Sequence, residues 1–249
     1  MKTTASDSFG FFDVIYCINL DSRPDRWEEA VRQFTAVGIL DRVERVAAIA
    51  HTTPSEGCRL SHLECVRRAS AAGAETALIF EDDVTMPGFS HEMLARALEV
   101  LRGVPDWELF FLGGLVTATP TEVSENLFRA RMVQTHAYAI HRRAFAAVQH
   151  SSAPIDLFYA DNLQSYCAMP MLAWQRAGLS DIEGLVTSRA ADAKYTYSKL
   201  VTGPQHEEII REILRRRLRV RIFRSRIQRT IRGRLRGLAG FLSFTRKRA

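Results

Sequence analysis

The chain has 249 residues, of which 47% are hydrophobic and 25% charged, with 14 glycines and 8 prolines. This composition is that of a folded protein with one sizeable core, and the ordinary glycine and proline content excludes a disordered chain. The four cysteines show no CxxC spacing, which argues against a structural zinc site or a disulfide framework and favours a reducing compartment. The amino terminus contains acids and lacks a long apolar region, and no stretch of about 18 apolar residues appears elsewhere, so we expect neither a signal peptide nor a membrane span.

The positive charge is concentrated at the carboxyl end. The chain has 34 Lys and Arg residues against 28 Asp and Glu residues. Fifteen of the bases but only one acid, Glu212, lie in residues 211–249, so this segment carries +14 and the remainder −8. Apolar residues recur among its arginines at helical spacing. We therefore predict a domain over residues 1–205 and a basic amphipathic helical tail over residues 206–249.

Strand and helix patterns alternate along the domain. The apolar, β-branched stretch FDVIYCINL predicts a strand at 12–20, and the following segment, with Pro24 near its start, predicts a helix. Strands separated by helices imply a mostly parallel sheet, so the predicted fold class is α/β, an open sheet flanked by helices. The further predicted elements are strands at 42–49, 76–84, 107–114 and 135–141 and helices at 58–73, 91–103 and 142–151.

The stretch ALIFEDDV ends an apolar strand in three consecutive acids, Glu81, Asp82 and Asp83. In an open parallel sheet, ligands bind beyond the carboxyl ends of the strands, where these acids lie. Because alternate residues of an extended segment point the same way, we expect Glu81 and Asp83 to converge and Asp82 to face elsewhere. Such carboxylates suit Mg²⁺ or Mn²⁺, which would attract phosphate oxygens. The alternative is that the acids are solvated or cap a helix.

Six sequence blocks carry a resemblance to a known family. They are YCINLDSRPDRW, GCRLSHLECVRRA, ALIFEDDV, THAYAIHRRAF, PIDL and PMLAWQRAGLSDIEG. In this order, over about residues 13–185, they resemble glycosyltransferase family 25, which includes lipopolysaccharide-biosynthesis and procollagen galactosyltransferases. The resemblance implies a GT-A-like fold and an inverting transfer of a sugar, commonly galactose, from a UDP-sugar with Mn²⁺ as cofactor.

The resemblance also implies which residues bind the donor. Asn19 would bind the base or ribose, and Arg26 the phosphates. Ser61 and His62, which we expect near the start of a helix, would bind phosphate beside its free N–H groups. The alternatives are a solvated arginine for Arg26 and, for the other pair, a helix cap and a packed histidine.

A metal site is implied at the acidic cluster. By the resemblance, Glu81 and Asp83 would ligate Mn²⁺ or Mg²⁺, and Glu81 would also take part in donor binding. His136 would complete the metal shell or contact the diphosphate. Asp82 would contact the ribose and Gln175 the hydroxyls of the donor sugar. The alternatives are a core role for His136 and a turn-capping role for Gln175.

An inverting transfer needs a carboxylate that takes the proton of the acceptor hydroxyl. Asp156, which we expect in a loop, is the first candidate for this catalytic base. Asp181 is a second candidate, and Asp161 is a rival, because spacing alone does not say which acid faces the acceptor. A loop aspartate is also a common turn cap.

The implied partners follow from this function. They are a UDP-sugar donor, a saccharide or lipid-linked saccharide acceptor of lipopolysaccharide or surface polysaccharide, and an anionic membrane surface bound by the tail. We expect a cytoplasmic protein, peripheral on the inner face of the cytoplasmic membrane. The tail could instead dock on the acidic domain; nucleic acid is less favoured, because aromatic residues are sparse among the arginines. The other class of function is a non-catalytic, membrane-associated binding protein on a degenerate transferase scaffold.

Overall fold

The protein is described by a computed structural model over residues 8–176. Its centre is an eight-stranded sheet with strand order β2-β1-β3-β10-β5-β11-β8-β7. The strands of this sheet are β1 (Val14–Asn19), β2 (Val43–Ala47), β3 (Thr76–Glu81), β5 (Leu109–Phe111), β7 (Thr121–Ser124), β8 (Leu127–Arg129), β10 (Ala137–His141) and β11 (Ser165–Ala168). Two small ribbons pair β4 (Val84–Thr85) with β12 (Trp174–Gln175), and β6 (Leu115–Val116) with β9 (Met132–Val133).

Six of the eight strands run in the same direction. β2, β1 and β3 are adjacent and parallel, and β5 and β11 form a second parallel pair. β10 lies antiparallel between β3 and β5, and β8 lies antiparallel between β11 and β7. The three adjacent parallel strands therefore bring their carboxyl ends to one edge of the sheet, which is the edge where the predicted site lies.

Helices pack against both faces of the sheet. On one face, the ring of Phe34 lies 5.2 Å from that of Phe80 in β3, and the apolar stripe around Leu98 joins the same core. On the other face, Tyr138 of β10 contacts the rings of His62 and Tyr159. The helices are α1 (Pro24–Ala36), α2 (Pro54–Ala71), α3 (His91–Arg102), α4 (Phe145–Gln149) and α5 (Ile155–Asn162), of which α1 and α3 lie on the first face and α2 and α5 on the second.

The predicted α/β class and the mostly parallel, helix-flanked sheet are confirmed. Two local predictions were wrong. The segment that contains Asp156 and Asp161 is helix α5, not a loop: the Pro154 carbonyl accepts the first helical hydrogen bond, from Phe158 N at 3.2 Å, and Asp156 lies in the first turn, where a negative charge is favoured. Helix α2 begins at Pro54 rather than at residue 58, because a proline at the first helical position needs no N–H partner.

The tail predicted over residues 206–249 lies outside the described residues, as does the end of the domain predicted over residues 1–205. Within residues 8–176, no helix combines the length and the apolar character that a membrane crossing requires. The four cysteines all lie in this range and are free thiols; Cys58 is partly exposed and the other three are buried.

Candidate active site at the ends of three parallel strands

A cavity of about 330 Å³ opens at the carboxyl ends of β1, β2 and β3. Its walls come from the end of β1, from residues 48–51 after β2, from the first turns of α2 and from Glu81, Asp82 and Asp83 after β3. This size lies at the lower end of the roughly 300–1,000 Å³ range of small-molecule sites. The cavity therefore occupies the position where open parallel sheets bind ligands.

The three acids all line this cavity. β3 ends at Glu81, and Asp82 and Asp83 form the turn that leads into β4. The carboxylate of Asp82 contacts Asn19 and Arg26, whereas that of Glu81 contacts Thr135 and His62 and that of Asp83 contacts Gln175. The end of β3 and the turn after it therefore place three acidic residues in the wall of one cavity, each with its own side-chain partners.

Glu81 contacts side chains from two other elements. Its Oε1 accepts a hydrogen bond from Thr135 Oγ1 at 2.6 Å and lies 3.3 Å from His62 Nε2. Burial acts to raise the pKa of Glu81, but the contacts with His62 and Thr135 and the nearby His136 outweigh it, so the pKa is lowered. Glu81 is thus held as a carboxylate at the cavity wall.

Asp82 is held by residues that follow β1. Asn19, only 1% exposed, donates from Nδ2 to Asp82 Oδ2 at 2.7 Å and to the Arg23 carbonyl at 3.0 Å. Arg26 Nη1 lies 3.5 Å from Asp82 Oδ1. Burial raises the pKa of Asp82 against the opposing effects of Asn19 and Arg26. Arg45 Nε donates to Asn19 Oδ1 at 2.8 Å, so each side-chain polar atom of Asn19 has a protein partner.

Asp83 has the fewest side-chain partners for its carboxylate of the three acids among the described residues. Its Oδ2 accepts from Gln175 Nε2 at 3.0 Å, whereas its buried Oδ1 has no hydrogen-bond partner among the described residues. Burial and the charge of Glu81 raise the pKa of Asp83 to about 7. A buried carboxylate oxygen with no donor suits a cation as its missing partner, so these residues fit the predicted divalent metal.

His62 belongs to a buried polar chain behind the cavity. Its Nδ1 lies 3.0 Å from Tyr138 Oη, which lies 3.1 Å from Tyr159 Oη. His62 and Ser61 lie two turns inside α2, so the prediction that they sit at a helix start was wrong; the helix begins earlier than predicted. Ser61 Oγ donates to the Gly57 carbonyl at 2.7 Å and accepts from Ile49 N at 2.8 Å, and it thereby joins α2 to the loop after β2.

One functional candidate was missed in the sequence. Cys58 Sγ, a ring nitrogen of His62 and a carboxylate oxygen of Glu81 all lie within 4.8 Å of one another. Burial and the charges of Glu81, Asp156 and Asp83 raise the pKa of the Cys58 thiol. The signal available in the sequence was the spacing of four between Cys58 and His62 on one helix, which puts both on the same face.

Two further residues that the sequence analysis placed in the site, His136 and Asp156, lie outside the cavity lining. His136 is buried behind Glu81, and its carbonyl accepts from Glu81 N at 3.0 Å. Burial lowers the pKa of His136 against the charge of Glu81. Asp156 accepts from Gln134 N at 3.3 Å and from Leu157 N at 2.8 Å. Neither His136 nor Asp156 is among the described residues that line the cavity, and Asp181 lies outside the described residues.

No family model matches the chain, and no curated protein matches it. Among solved structures, a protein from STIV has a TM-score of 0.46 at 8% identity, over 66% of this chain and 85% of that chain. Mannosyltransferase PcManGT from Pyrobaculum calidifontis, in complex with GDP-Man and Mn²⁺, has a TM-score of 0.42 at 10% identity, over 83% and 74%. A glycosyltransferase involved in the glycosylation of the major capsid of PBCV-1 has a TM-score of 0.39 at 8% identity, over 60% and 73%. Likenesses at this level concern the fold alone.

Proposed function

We propose that this protein is a metal-dependent glycosyltransferase that moves a sugar, galactose, from a UDP-sugar to a saccharide acceptor of lipopolysaccharide or surface polysaccharide, with inversion. The observation that carries the proposal is that Glu81, Asp82 and Asp83 all line one cavity, with Asp83 Oδ1 buried and without a hydrogen-bond partner among the described residues. The sequence resemblance to glycosyltransferase family 25 supplies the reaction class and the galactose.

The charge of the cavity explains why a cation is needed. Three acids line it, and the guanidinium of Arg26, which also lines it, already lies against Asp82. An anionic sugar diphosphate would be repelled from such a wall if no cation were present. Glu81 and Asp83 are the residues that would hold Mn²⁺ or Mg²⁺, with His136 behind them. When bound, the ion supplies positive charge that neutralises the departing diphosphate.

Side chains of the cavity wall would bind and position the donor. Asn19 fixes the carboxylate of Asp82 on the cavity wall, and Gln175 fixes that of Asp83. Asp82 would accept hydrogen bonds from ribose hydroxyls, and Arg26 would contact phosphate oxygens. The donor would thus be held by groups on rigid strand ends, which is the arrangement that positions a reacting bond well.

The base that takes the acceptor proton is assigned to Asp156, with Asp181 as the alternative. Asp156 is not among the described residues that line the cavity, but its charge contributes to the raised pKa of the Cys58 thiol, which does line it. If Asp156 is the base, Asp156→Asn should lower kcat by at least about a hundredfold and leave UDP affinity unchanged. An unchanged kcat would transfer the assignment to Asp181.

The direct test is a panel of UDP-sugars incubated with Mn²⁺ and saccharide acceptors, with product measured by mass spectrometry. We expect turnover of UDP-galactose by the full chain and none by Asp83→Asn. Asp41→Asn is the matched control, because Asp41 is an exposed aspartate in a short helical turn away from the cavity. Full transfer by Asp83→Asn in the presence of a chelator would overturn the proposal.

We also propose that residues 206–249 attach the enzyme to the inner, anionic face of the cytoplasmic membrane, where a lipid-linked acceptor would be concentrated. The support is the charge of +14 over residues 211–249. A chain ending at Gln205 should lose sedimentation with anionic vesicles, and the full chain should lose it at high salt. Equal sedimentation of both chains would contradict this.

A further inference from the structure

The structure brings a thiol, an imidazole and a carboxylate together in one corner of the cavity. The potential ligand atoms of Cys58, His62 and Glu81 all lie within 4.8 Å of one another. In a tetrahedral Zn²⁺ site, with bonds of about 2.3 Å to sulfur and 2.0–2.1 Å to nitrogen, such atoms are roughly 3.5 Å apart. A small inward movement of the side chains would therefore complete three bonds to one ion.

We propose that Cys58, His62 and Glu81 form a binding site for a thiophilic divalent cation of the Zn²⁺ class. A site with sulfur and nitrogen ligands selects softer ions than a site made of oxygen alone, which suits Mg²⁺ and Mn²⁺. This inference goes beyond the proposed function and does not depend on it. Its three residues all line the cavity, and three protein ligands are the number that catalytic zinc sites use.

The local fold supports this ligand set. Cys58 and His62 are one helical turn apart on α2, so their side chains lie on one face of the helix. Glu81 is the last residue of β3, where its N–H donates to the His136 carbonyl and fixes the backbone. α2 packs directly on β3. The three ligands therefore come from two rigid elements in contact.

The surroundings of His62 are those of a metal-ligating histidine. Its Nε2 is buried, faces Glu81 at 3.3 Å, and makes no hydrogen bond with good geometry among the described residues. Its Nδ1 is held by Tyr138 Oη at 3.0 Å, and Tyr138 is held in turn by Tyr159. A partner on one ring nitrogen that orients the other nitrogen toward the ion is the usual outer contact of metal-bound histidine. Thr135 Oγ1 likewise donates to Glu81 Oε1 at 2.6 Å and orients this carboxylate.

The site shares Glu81 with the carboxylate pair that would hold Mn²⁺. The two kinds of ion should therefore compete for it, and the softer ion should be favoured where it contacts Cys58. Micromolar Zn²⁺ would then displace Mn²⁺ from the wild-type protein but would do so less readily in a variant that lacks the thiol.

Cobalt spectroscopy tests the proposal directly, because a Co²⁺–thiolate bond produces a charge-transfer absorption in the near ultraviolet. The metal-free full chain, kept reduced, is titrated with Co²⁺ alone. We expect a saturable thiolate band in the wild type, its loss in Cys58→Ser and in Cys58→Ala, and at least tenfold weaker Co²⁺ binding in Glu81→Gln. Cys65→Ala is the matched control, because Cys65 lies on the same helix, buried in the core, and the band should persist.

A second measurement needs no variant. Cys58 is the cysteine with partial exposure among four free thiols, so alkylation followed by peptide mass spectrometry reports on it. Zn²⁺ or Co²⁺ should slow alkylation of Cys58 at least tenfold, whereas Mg²⁺ should not. Three results would each overturn the proposal: no thiolate band in the wild type, a thiolate band that persists in both Cys58 variants, or a rate of Cys58 alkylation that Zn²⁺ leaves unchanged. None of these outcomes bears on sugar transfer, so the two proposals fail separately.

Discussion

Asp83 is a carboxyl group whose ionisation the fold opposes. Its pKa is raised from 3.8 to about 7 by burial and by the charge of Glu81. Well below about pH 4 the Asp83 carboxyl is protonated in both the folded and the unfolded state, so it does not lower the free energy of unfolding. As the pH rises toward 7, Asp83 ionises in the unfolded chain before it ionises in the folded protein, so the free energy of unfolding falls. The full loss is present above about pH 7, where Asp83 is ionised in both states.

Asp83→Asn should therefore stabilise the metal-free protein at pH 8 by at most about 4 kcal/mol, since the pKa is raised by about three units and one unit corresponds to about 1.4 kcal/mol. The gain should shrink progressively as the pH is lowered toward 4. Urea unfolding in the presence of a chelator measures the free energy of unfolding of both proteins at each pH. An equal difference between variant and wild type at pH 8 and pH 5 would show that Asp83 is not the titrating group.

Asn19 serves the site by holding Asp82 rather than by facing a ligand with free polar atoms. Its side chain joins Asp82, the Arg23 carbonyl and Arg45. Asn19→Ala leaves buried partners without hydrogen bonds and should destabilise the fold by about 1–3 kcal/mol. The matched control is Asp21→Asn, which alters an exposed salt bridge to Arg45 and should change stability by less than about 1 kcal/mol. Equal losses in the two variants by urea unfolding would contradict this role.

At the scale of elements, the wall of the cavity depends on the close approach of α2 to the loop after β2. A Cβ atom at Gly57 would lie 2.6 Å from the Ile49 carbonyl oxygen. Glycine to alanine in a helix interior ordinarily stabilises by up to about 1 kcal/mol, but here the backbone contact cannot give way.

We expect Gly57→Ala to destabilise the protein by about 1–3 kcal/mol and to weaken UDP binding, because the loop at residues 48–51 forms part of the cavity. Ser70→Ala, at an exposed position of the same helix, should leave stability within about 0.5 kcal/mol and leave binding unchanged. Thermal unfolding and calorimetry measure the two effects. A stabilised Gly57→Ala protein would contradict the observed packing.

The sequence patterns predicted five strands of the main sheet, β1, β2, β3, β5 and β10, and did not predict β7, β8, β11 or helix α5. β1, β3 and α3 bury continuous or periodic apolar stretches, so their patterns predict them well. β7 is largely exposed and α5 has only eight residues, so neither has a periodicity that distinguishes it from a loop. β8 and β11 have only three and four residues, which is too short for a pattern to show.

The same reasoning explains which site residues were found. The acids after β3 stand out because charge interrupts an apolar strand. Cys58 does not stand out, because its partner Glu81 is 23 positions away and their approach depends on how α2 packs on the sheet. The contact of Gln175 with Asp83 likewise depends on the pairing of β12 with β4. Long-range packing of this kind carries no local sequence signal.

At the scale of the whole described domain, the sheet and the cavity form one arrangement. Three adjacent parallel strands end at one edge, and the cavity there is lined by the ends of β1 and β3 and by the loop after β2. A polar chain of His62, Tyr138 and Tyr159 runs from the cavity into the core. The site is therefore built on rigid elements, and a ligand should stabilise the fold in proportion to its affinity.

The central claim is that a cation held by carboxylates at this edge binds a nucleotide diphosphate. The most direct measurement is calorimetric titration of the full chain with UDP, with Mn²⁺ and with a chelator. We predict saturable binding that needs Mn²⁺ and that weakens at least tenfold both with the chelator and in Asp83→Asn. Equal UDP affinity with Mn²⁺ and with the chelator would contradict the account.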